Sequence, residues 1–279
     1  MPRTNSHINF VAIKEIADRA IRRTAVFVAL GLNSAKRCSE YDLELEDVRH
    51  LALLPEDPSE EVASICTEEF STWIITCGLR ELLETFGTFL DEIDWACNEM
   101  RLHYSGDAEK TRPISLEGFQ YKGLAEKLGM LDEMYSVKSD RREMLISINR
   151  VRHCLTHRRG IVGIEDCQKN SELEVRWLGI EFFAETPSGV RIQTPTPLKE
   201  DPYPYEEVGT LKWGRFERTA SFQLGNRVKL SARDLGEICN FFGLVSEQIL
   251  HTAIDYGKRI GVKFSEGKEL DNKWAIHWQ

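Results

Sequence analysis

The first clear pattern in the chain is helical and lies near the N-terminus. Between residues 8 and 31, apolar side chains return every three or four positions, and charged side chains fill the positions between them. That spacing places the apolar residues on one face of an α-helix. The stretch GLNS at 31–34 carries the glycine and asparagine that are typical of a helix end, so we expect the helix to stop there.

Helical periodicity then dominates the chain as far as about Tyr104. A short helix is expected over 42–54, and DPSEE at 57–61 combines an acid, an early proline, a capping serine and glutamates, which together favour a helix start. The pattern that follows hardly breaks before Tyr104. Gly78 and Gly87 are its weak points, so it predicts either one long helix or two.

Two further helices are expected in the middle of the chain. After a polar loop at 105–113, one helix is predicted over 115–128, with Gly129 as its C-terminal cap. The next is predicted over 139–159, where Gly160 provides the stop signal.

The pattern changes to an alternating one at about residue 165. LEVRWLGIEFFAE alternates and is rich in β-forming residues, and VRIQT is expected to return antiparallel to it after the turn TPSG. The stretch 195–209 carries four prolines and predicts a loop, and TLKWGRFERTASFQL and NRVKLS are further strand candidates. Helical periodicity returns over 231–260, where Ser231 and Asp234 suggest a capping box.

These elements predict a mainly α fold. We expect an antiparallel helical bundle with a small β-rich insertion at about 165–230 before the last long helix, the whole of 1–279 forming one domain.

Composition narrows the function classes. The 279 residues are 42% hydrophobic, which favours a folded protein, and the net charge of -9 gives no general attraction to nucleic acid. RNA binding would therefore need a local basic patch. The seven cysteines form no C-x-x-C pair, which argues against a structural zinc site and favours reduced thiols in the cytoplasm. No signal peptide and no membrane span is indicated, so no membrane partner is expected.

The candidate chemistry lies in NRVRHCLTHRRGIV at 149–162. At about 100° per residue, a helix places one set of polar side chains on a single face roughly 140° wide. This motif face consists of Asn149, Arg152, His153, Thr156 and His157. The opposite face carries Ile148, Val151 and Leu155.

Three interpretations of the motif face follow from spacing alone. It can be an ordinary solvated face, or His153 and His157 can hold a metal as an i, i+4 pair. The metal site lacks the glutamate of H-E-x-x-H, because Cys154 stands there, and the motif indicates no third ligand. The remaining interpretation is acid–base chemistry on RNA, in which histidine moves a proton, arginine neutralises a phosphate and the 2′-OH is the nucleophile, so that neither metal nor cofactor is needed.

The motif resembles the signature of the HEPN superfamily, R-x(4–6)-H near the end of a helix. Arg152 matches the arginine, His153 the polar residue after it, and His157 the histidine. The flank HRRGIV and the later stretch GNRVKLS at 225–231 are also similar to the family pattern.

The resemblance implies a dimer in which two motif helices form one composite cleft, and a metal-independent ribonuclease of a toxin–antitoxin or antiviral system. It makes His157 the acid–base residue, Arg152 the phosphate stabiliser and His153 an orienting or assisting residue. RNA is then the substrate, and an antitoxin or sensor protein is a possible partner. Asn149 and Thr156 join as supporting residues from the helical wheel only. The alternative is a non-catalytic binding or regulatory module that uses the same face.

Two arginines and several aromatic residues leave further alternatives open. Toxins silenced by a nucleotidyltransferase carry a tyrosine two residues after the motif histidine, and because Arg159 stands there, that control is not expected. Arg158 and Arg159 either provide the basic patch for RNA or are solvated cations that favour the helix C-terminus. A set of aromatic side chains in the β-rich stretch either stacks bases or packs in a core: Trp177, Phe182, Phe183, Trp213 and Phe216.

Overall fold

The computed structural model describes residues 8–37, 59–104, 118–168, 171–189, 191–193 and 210–264. Three of the predicted features lie outside the described residues: the short helix at 42–54, the loop at 105–113 and the proline-rich stretch at 195–209.

The described chain is mainly helical, as predicted. Its α-helices are α1 (Phe10–Arg37), α2 (Glu60–Tyr104), α3 (Leu124–Tyr135), α4 (Arg142–His157) and α5 (Ala232–Arg259), and a 3-10 turn covers Phe119–Tyr121. Within the described ranges, no helix combines the length and apolar character needed to cross a bilayer.

The starts of α2 and α5 follow their sequence signals. The hydroxyl of Ser59 accepts a hydrogen bond from the Val62 N–H at 3.4 Å. At α5, the Ser231 N–H donates to the Asp234 carboxylate at 2.8 Å, and the Asp234 N–H donates to the Ser231 hydroxyl at 3.1 Å. The predicted capping box is therefore confirmed with aspartate in place of the usual glutamate.

Two glycines that suggested helix ends or breaks instead lie inside helices. The expected stop of α1 at Gly31 is wrong, since α1 continues to Arg37, and α2 is one helix through Gly78. A Cβ on Gly31 would lie 2.7 Å from Ile74, and one on Gly78 would lie 2.5 Å from Val28. Both glycines are therefore explained by the close approach of α1 and α2 at these positions.

The predicted boundaries around Gly129 are also wrong. The helix covers Leu124–Tyr135. At its start the Gly123 N–H donates to the Glu126 carboxylate at 3.1 Å, and Ser136, with a φ of 57°, caps its end. Gly129 lies inside it. The reason is that Leu131 and Tyr135, beyond the glycine, are buried, and their packing outweighs the low helix propensity of one glycine.

The β-rich insertion is confirmed as a three-stranded antiparallel sheet of order β2-β1-β3. Its strands are β1 (Glu172–Glu185), β2 (Arg191–Gln193) and β3 (Thr210–Gln223). We call the paired β1 and β3 the ribbon; its register runs from Glu172 opposite Gln223 to Glu185 opposite Thr210. NRVKLS is not a strand, since it contributes only an isolated bridge between Arg227 and Ile161.

One face of the ribbon is attached to the helices. Leu173, Val175 and Trp177 alternate along β1 and are buried. The Arg176 N–H donates to the Ser147 hydroxyl of α4 at 3.0 Å, and the Trp177 indole donates to Glu237 of α5 at 3.0 Å. The near half of the ribbon is therefore fixed to α4 and α5.

The chain divides into two compact units, and the expectation of a single domain stays a prediction. The first unit comprises 1–16, 87–140 and 246–279, and the second comprises 17–86 and 141–245. The first contains buried polar side chains, among them Asp94 and Lys127, whose ammonium lies 2.6 Å from the Asp91 carboxylate. The second holds α4 and the ribbon, and in its core Phe86 meets Phe242 edge to face at 4.9 Å.

Candidate functional site

The motif face is the polar side of a clearly two-sided helix. Ile148 and Val151 have no exposed surface, and Leu155 is buried beside them. On the opposite side, Asn149 and Arg152 are half-buried, and the remaining three residues, His153, Thr156 and His157, are exposed. The structure therefore brings all five predicted residues together on one accessible side of α4.

Arg152 is held in place by its neighbour on the preceding turn. Its Nη2 donates to the Asn149 side-chain oxygen at 2.9 Å. Its Nε is buried and has no hydrogen-bond partner among the described residues. Burial lowers the pKa of the guanidinium from its usual value, but an arginine so shifted remains charged at neutral pH. The side chain thus presents a fixed positive charge on the motif face.

Two residues of α2 that sequence reasoning missed lie within electrostatic range of Arg152. The Glu84 carboxylate favours the charged guanidinium, whereas Arg80 disfavours it. Arg80 and Glu84 form an ion pair at 2.8 Å, four residues apart on α2. Their spacing predicts that pair, but nothing in the sequence relates it to a motif about seventy positions later.

The two histidines stack against each other. Their ring centroids lie 5.4 Å apart, with the planes inclined by 26°. Burial lowers the pKa of His153, and the charges of Arg152, His157 and Arg158 lower it further. His153 is therefore neutral at neutral pH and has a ring nitrogen available to accept a proton.

The end of α4 is as the glycine signal predicts. The Arg158 N–H and the Gly160 N–H both donate to the Cys154 carbonyl, at 3.0 and 3.1 Å. Arg159 and Gly160 have φ values of 54° and 76°, so two consecutive residues occupy the left-handed region. Glycine adopts that conformation without strain, whereas arginine does so at a cost.

Arg158 and Arg159 have different surroundings. Arg158 forms a bidentate pair with the carboxylate of Asp166, and its Nη1 lies 2.9 Å from Glu165. Burial favours the neutral form of Asp166, but hydrogen bonds from Arg158 and the Gly163 N–H hold its pKa below the usual range. The charge of Arg158 is thus already balanced. Arg159 is exposed and has no carboxylate partner within the described part of the chain, so of the two it is better placed to hold phosphate.

The two stretches that carry the family resemblance are hydrogen-bonded to each other. The Val228 N–H donates to the Gly160 carbonyl at 2.7 Å, and the Val162 N–H donates to the Asn226 carbonyl at 3.0 Å. The Gly225 N–H returns to the Val162 carbonyl at 2.9 Å. HRRGIV and GNRVKLS therefore form one structural feature at the end of the motif helix.

The aromatic residues of the β-rich stretch divide between packing and exposure. Trp177 and Phe183 are buried and Phe216 is half-buried, so the core interpretation holds for these three. Phe182 and Trp213 are 46% and 58% exposed. Core packing is thus confirmed for three members of the set, whereas base stacking by Phe182 and Trp213 stays a prediction.

An apolar groove of about 330 Å³ lies apart from the motif, between α1 and α2. Phe27, Phe70 and Trp73 line it, and none of the motif-face residues does.

No group of three or more His, Cys, Asp or Glu side chains that could hold a metal ion occurs in the described ranges. Burial, together with the nearby Asp166, raises the pKa of the Cys154 thiol on the inner side of α4 to about 12.

Comparisons with protein-family models, with curated proteins and with solved structures gave no match.

Proposed function

We propose that this protein is a metal-independent endoribonuclease of the HEPN type. The observation that carries the proposal is the motif face itself, where a fixed guanidinium and two stacked imidazoles stand together on one accessible side of α4. The hydrogen-bonded pairing of HRRGIV with GNRVKLS beside it adds support, because the family resemblance rests on these same stretches.

The reaction needs no nucleophile from the protein. The ribose 2′-oxygen attacks the adjacent phosphorus, and a histidine accepts the proton of that hydroxyl. The bond from phosphorus to the 5′-oxygen breaks, and that oxygen takes up a proton from an acid. The products are a 2′,3′-cyclic phosphate and a 5′-hydroxyl, with no net consumption of protons.

In this proposal His157 is the acid–base residue and Arg152 neutralises the charge that develops on the phosphate oxygens. His153, which is neutral at neutral pH, assists proton transfer or orients the substrate. Arg159 supplies a further positive charge for the RNA, and Thr156 is an exposed residue on the same face as the histidines. Two copies that pair through their motif faces would provide one histidine for each proton transfer.

The biological setting that goes with this activity is a cytoplasmic toxin or antiviral effector, controlled by an antitoxin or a sensor protein. The acidic net charge of -9 suits such a role, since it keeps binding to RNA local and dependent on the site.

The test compares the wild type with His157→Ala and Arg152→Ala on total RNA in EDTA. His251→Ala is the matched control, because His251 is an exposed histidine of α5 outside the motif. We expect the wild type and the control to produce fragments ending in 2′,3′-cyclic phosphate, and the two motif variants to produce none. Equal cleavage by the motif variants would overturn the site. RNA binding without cleavage by the wild type would favour the non-catalytic module.

A further inference from the structure

The far end of the ribbon presents an apolar patch on the face turned away from α4 and α5. Phe182 of β1 lies directly opposite Trp213 of β3, and Ala184 lies opposite Leu211. Trp213 and Leu211 are 58% and 54% exposed. Side chains of a strand alternate between its two faces, so these residues share the side opposite to the buried Trp177.

One charged side chain belongs to this patch, and it is positive. Arg215 lies opposite Ile180, and its guanidinium carbon stands 5.5 Å from the centre of the Trp213 ring. Arg215 has no carboxylate partner among the described residues. We call Ile180, Phe182, Leu211, Trp213 and Arg215 the far-end patch.

The carboxylates near this end are paired with other cations: Glu217 shares the face of Arg215 and lies 3.5 Å from Arg176, whereas Glu181 and Glu185 lie on the other face of β1. Glu181 lies 2.6 Å from Arg218, and Glu185 lies 2.8 Å from Lys212. The far-end patch therefore combines exposed aromatic rings with a guanidinium that forms no ion pair among the described residues. An apolar protein surface would match the rings but would leave the guanidinium unpaired.

We propose that the far-end patch is a stacking surface for the bases of single-stranded RNA, with Arg215 contacting a phosphate or a base plane. Unpaired bases stack on aromatic side chains and on guanidinium planes, and the phosphate supplies the negative charge that the patch lacks. This inference rests on the proposed function for the identity of the ligand, and it extends the RNA site beyond α4.

The patch stands well away from the motif. The residues that follow α4 are hydrogen-bonded to those that follow β3, so His157 belongs to the end of the ribbon where Glu172 faces Gln223. Phe182 is ten residues further along β1, about 33 Å at the usual rise of a strand. An RNA that occupies both sites must therefore be long and extended.

The test measures binding in the His157→Ala background, so that it does not depend on cleavage. The probe is a fluorescent single-stranded RNA of about 20 nucleotides and mixed sequence. Trp213→Ala and Phe182→Ala are each expected to weaken its binding about tenfold, which is the effect of losing one stacked base. Arg215→Ala should weaken binding and make it less sensitive to salt.

Trp73→Ala is the matched control, since Trp73 is a tryptophan of similar exposure, 62%, on α2. It should bind the probe as the parent protein does. A 5-nucleotide RNA should bind the parent at least tenfold more weakly than the longer probe, and Trp213→Ala should remove most of that difference.

The outcomes separate this inference from the ribonuclease proposal. Cleavage by the wild type combined with unchanged RNA binding in all patch variants overturns the stacking surface alone. Weakened binding in the patch variants, with no cleavage by the wild type, supports the stacking surface and contradicts the nuclease. If the patch variants instead change the molar mass of the protein in light scattering and leave RNA binding unchanged, the patch is a protein interface and the inference is wrong.

Discussion

The side-chain oxygen of Asn149 accepts a hydrogen bond from Arg152 at 2.9 Å, one turn along α4. This contact fixes the direction of a guanidinium whose Nε has no other described partner. Asn149 is outside the R-x(4–6)-H pattern, so its part in the site follows from the helix geometry alone. We regard it as a positioning residue.

Asn149→Ala should lower the rate of RNA cleavage by about tenfold to a hundredfold, because a hydrogen bond to a charged group is lost and Arg152 is no longer oriented. Asn149→Asp keeps an acceptor oxygen and should recover most of the rate. Thermal unfolding should be nearly the same for both variants. A loss of stability that parallels the loss of rate would show that Asn149 only supports the helix.

The pKa of His153 should be below the usual value when it is measured by NMR titration, because the side chain is partly buried and positive charges surround it. Arg152→Ala should raise it, since a nearby positive charge is removed, while the effect of burial remains. Arg159→Ala is the comparison, as Arg159 is not among the groups that shift His153. An unchanged His153 pKa in Arg152→Ala would contradict the electrostatic link.

Arg158→Ala should lower the free energy of unfolding by about 2 kcal/mol, because the Asp166 carboxylate stays buried without its partner. The value is below the roughly 3–5 kcal/mol that is typical of a fully buried pair, since Arg158 keeps 29% of its side chain exposed. Arg159→Ala should change stability by less than about 0.5 kcal/mol. Urea unfolding of the three proteins measures both effects.

The pH dependence of the Arg158 effect has a defined sign. The pKa of Asp166 is lowered in the folded state, so its contribution to stability is present above the ordinary pKa and disappears as the pH falls through the folded value. The difference between wild type and Arg158→Ala should therefore shrink in acid. A difference that grows below pH 4 would contradict the assigned pair.

Gly78→Ala should destabilise the protein by about 1–3 kcal/mol, since the new methyl group would meet Val28 at 2.5 Å in a packed helix contact. Gly236→Ala, in the helix α5, has nothing within 4 Å of the added carbon and should stabilise by about 1 kcal/mol. Thermal unfolding distinguishes the two. Equal shifts for both variants would show that α1 and α2 do not approach closely at Gly78.

Asp94 lies in the unit that comprises 1–16, 87–140 and 246–279, and burial raises its pKa from 3.8 to about 6. A raised acid pKa contributes stability that is present at low pH and is lost as the pH rises through the folded value. The free energy of unfolding of Asp94→Asn should therefore rise by about 2 kcal/mol relative to that of the wild type between pH 4 and pH 8. Asp255→Asn, at an exposed aspartate of α5, is the control and should show little change.

The spacing of apolar residues and the helix-capping signals were sufficient to predict most of the secondary structure. The alternation of β1, the capping box at Ser231 and the two-sided character of α4 all depend on short-range spacing, which a sequence displays directly. The errors at Gly31 and Gly129 have the opposite origin. Each glycine lies inside a helix that continues because of packing, and packing partners such as Ile74 are distant in sequence.

For the candidate site too, the sequence predicted the local part and missed the interactions with distant residues. The motif-face residues are neighbours on one helix, so a helical wheel groups them. The balance of charge at Arg158 depends on a turn that brings Asp166 back to the helix end, and the influence of Glu84 on Arg152 comes from another helix. Neither interaction has a local signal in the sequence.

The hydrogen bonds that attach the ribbon to the rest of its unit lie near one of its two ends. At the end where Glu172 faces Gln223, residues 160–162 are hydrogen-bonded to residues 225–228. Arg176 and Trp177 are hydrogen-bonded to α4 and α5. Beyond Gly179 the face that carries Phe182 and Trp213 is exposed. Residue pairs added or removed at the far end would change the length of the ribbon and leave these hydrogen bonds in place. The length of the ribbon and the chemistry of the motif face can thus each be altered without changing the other.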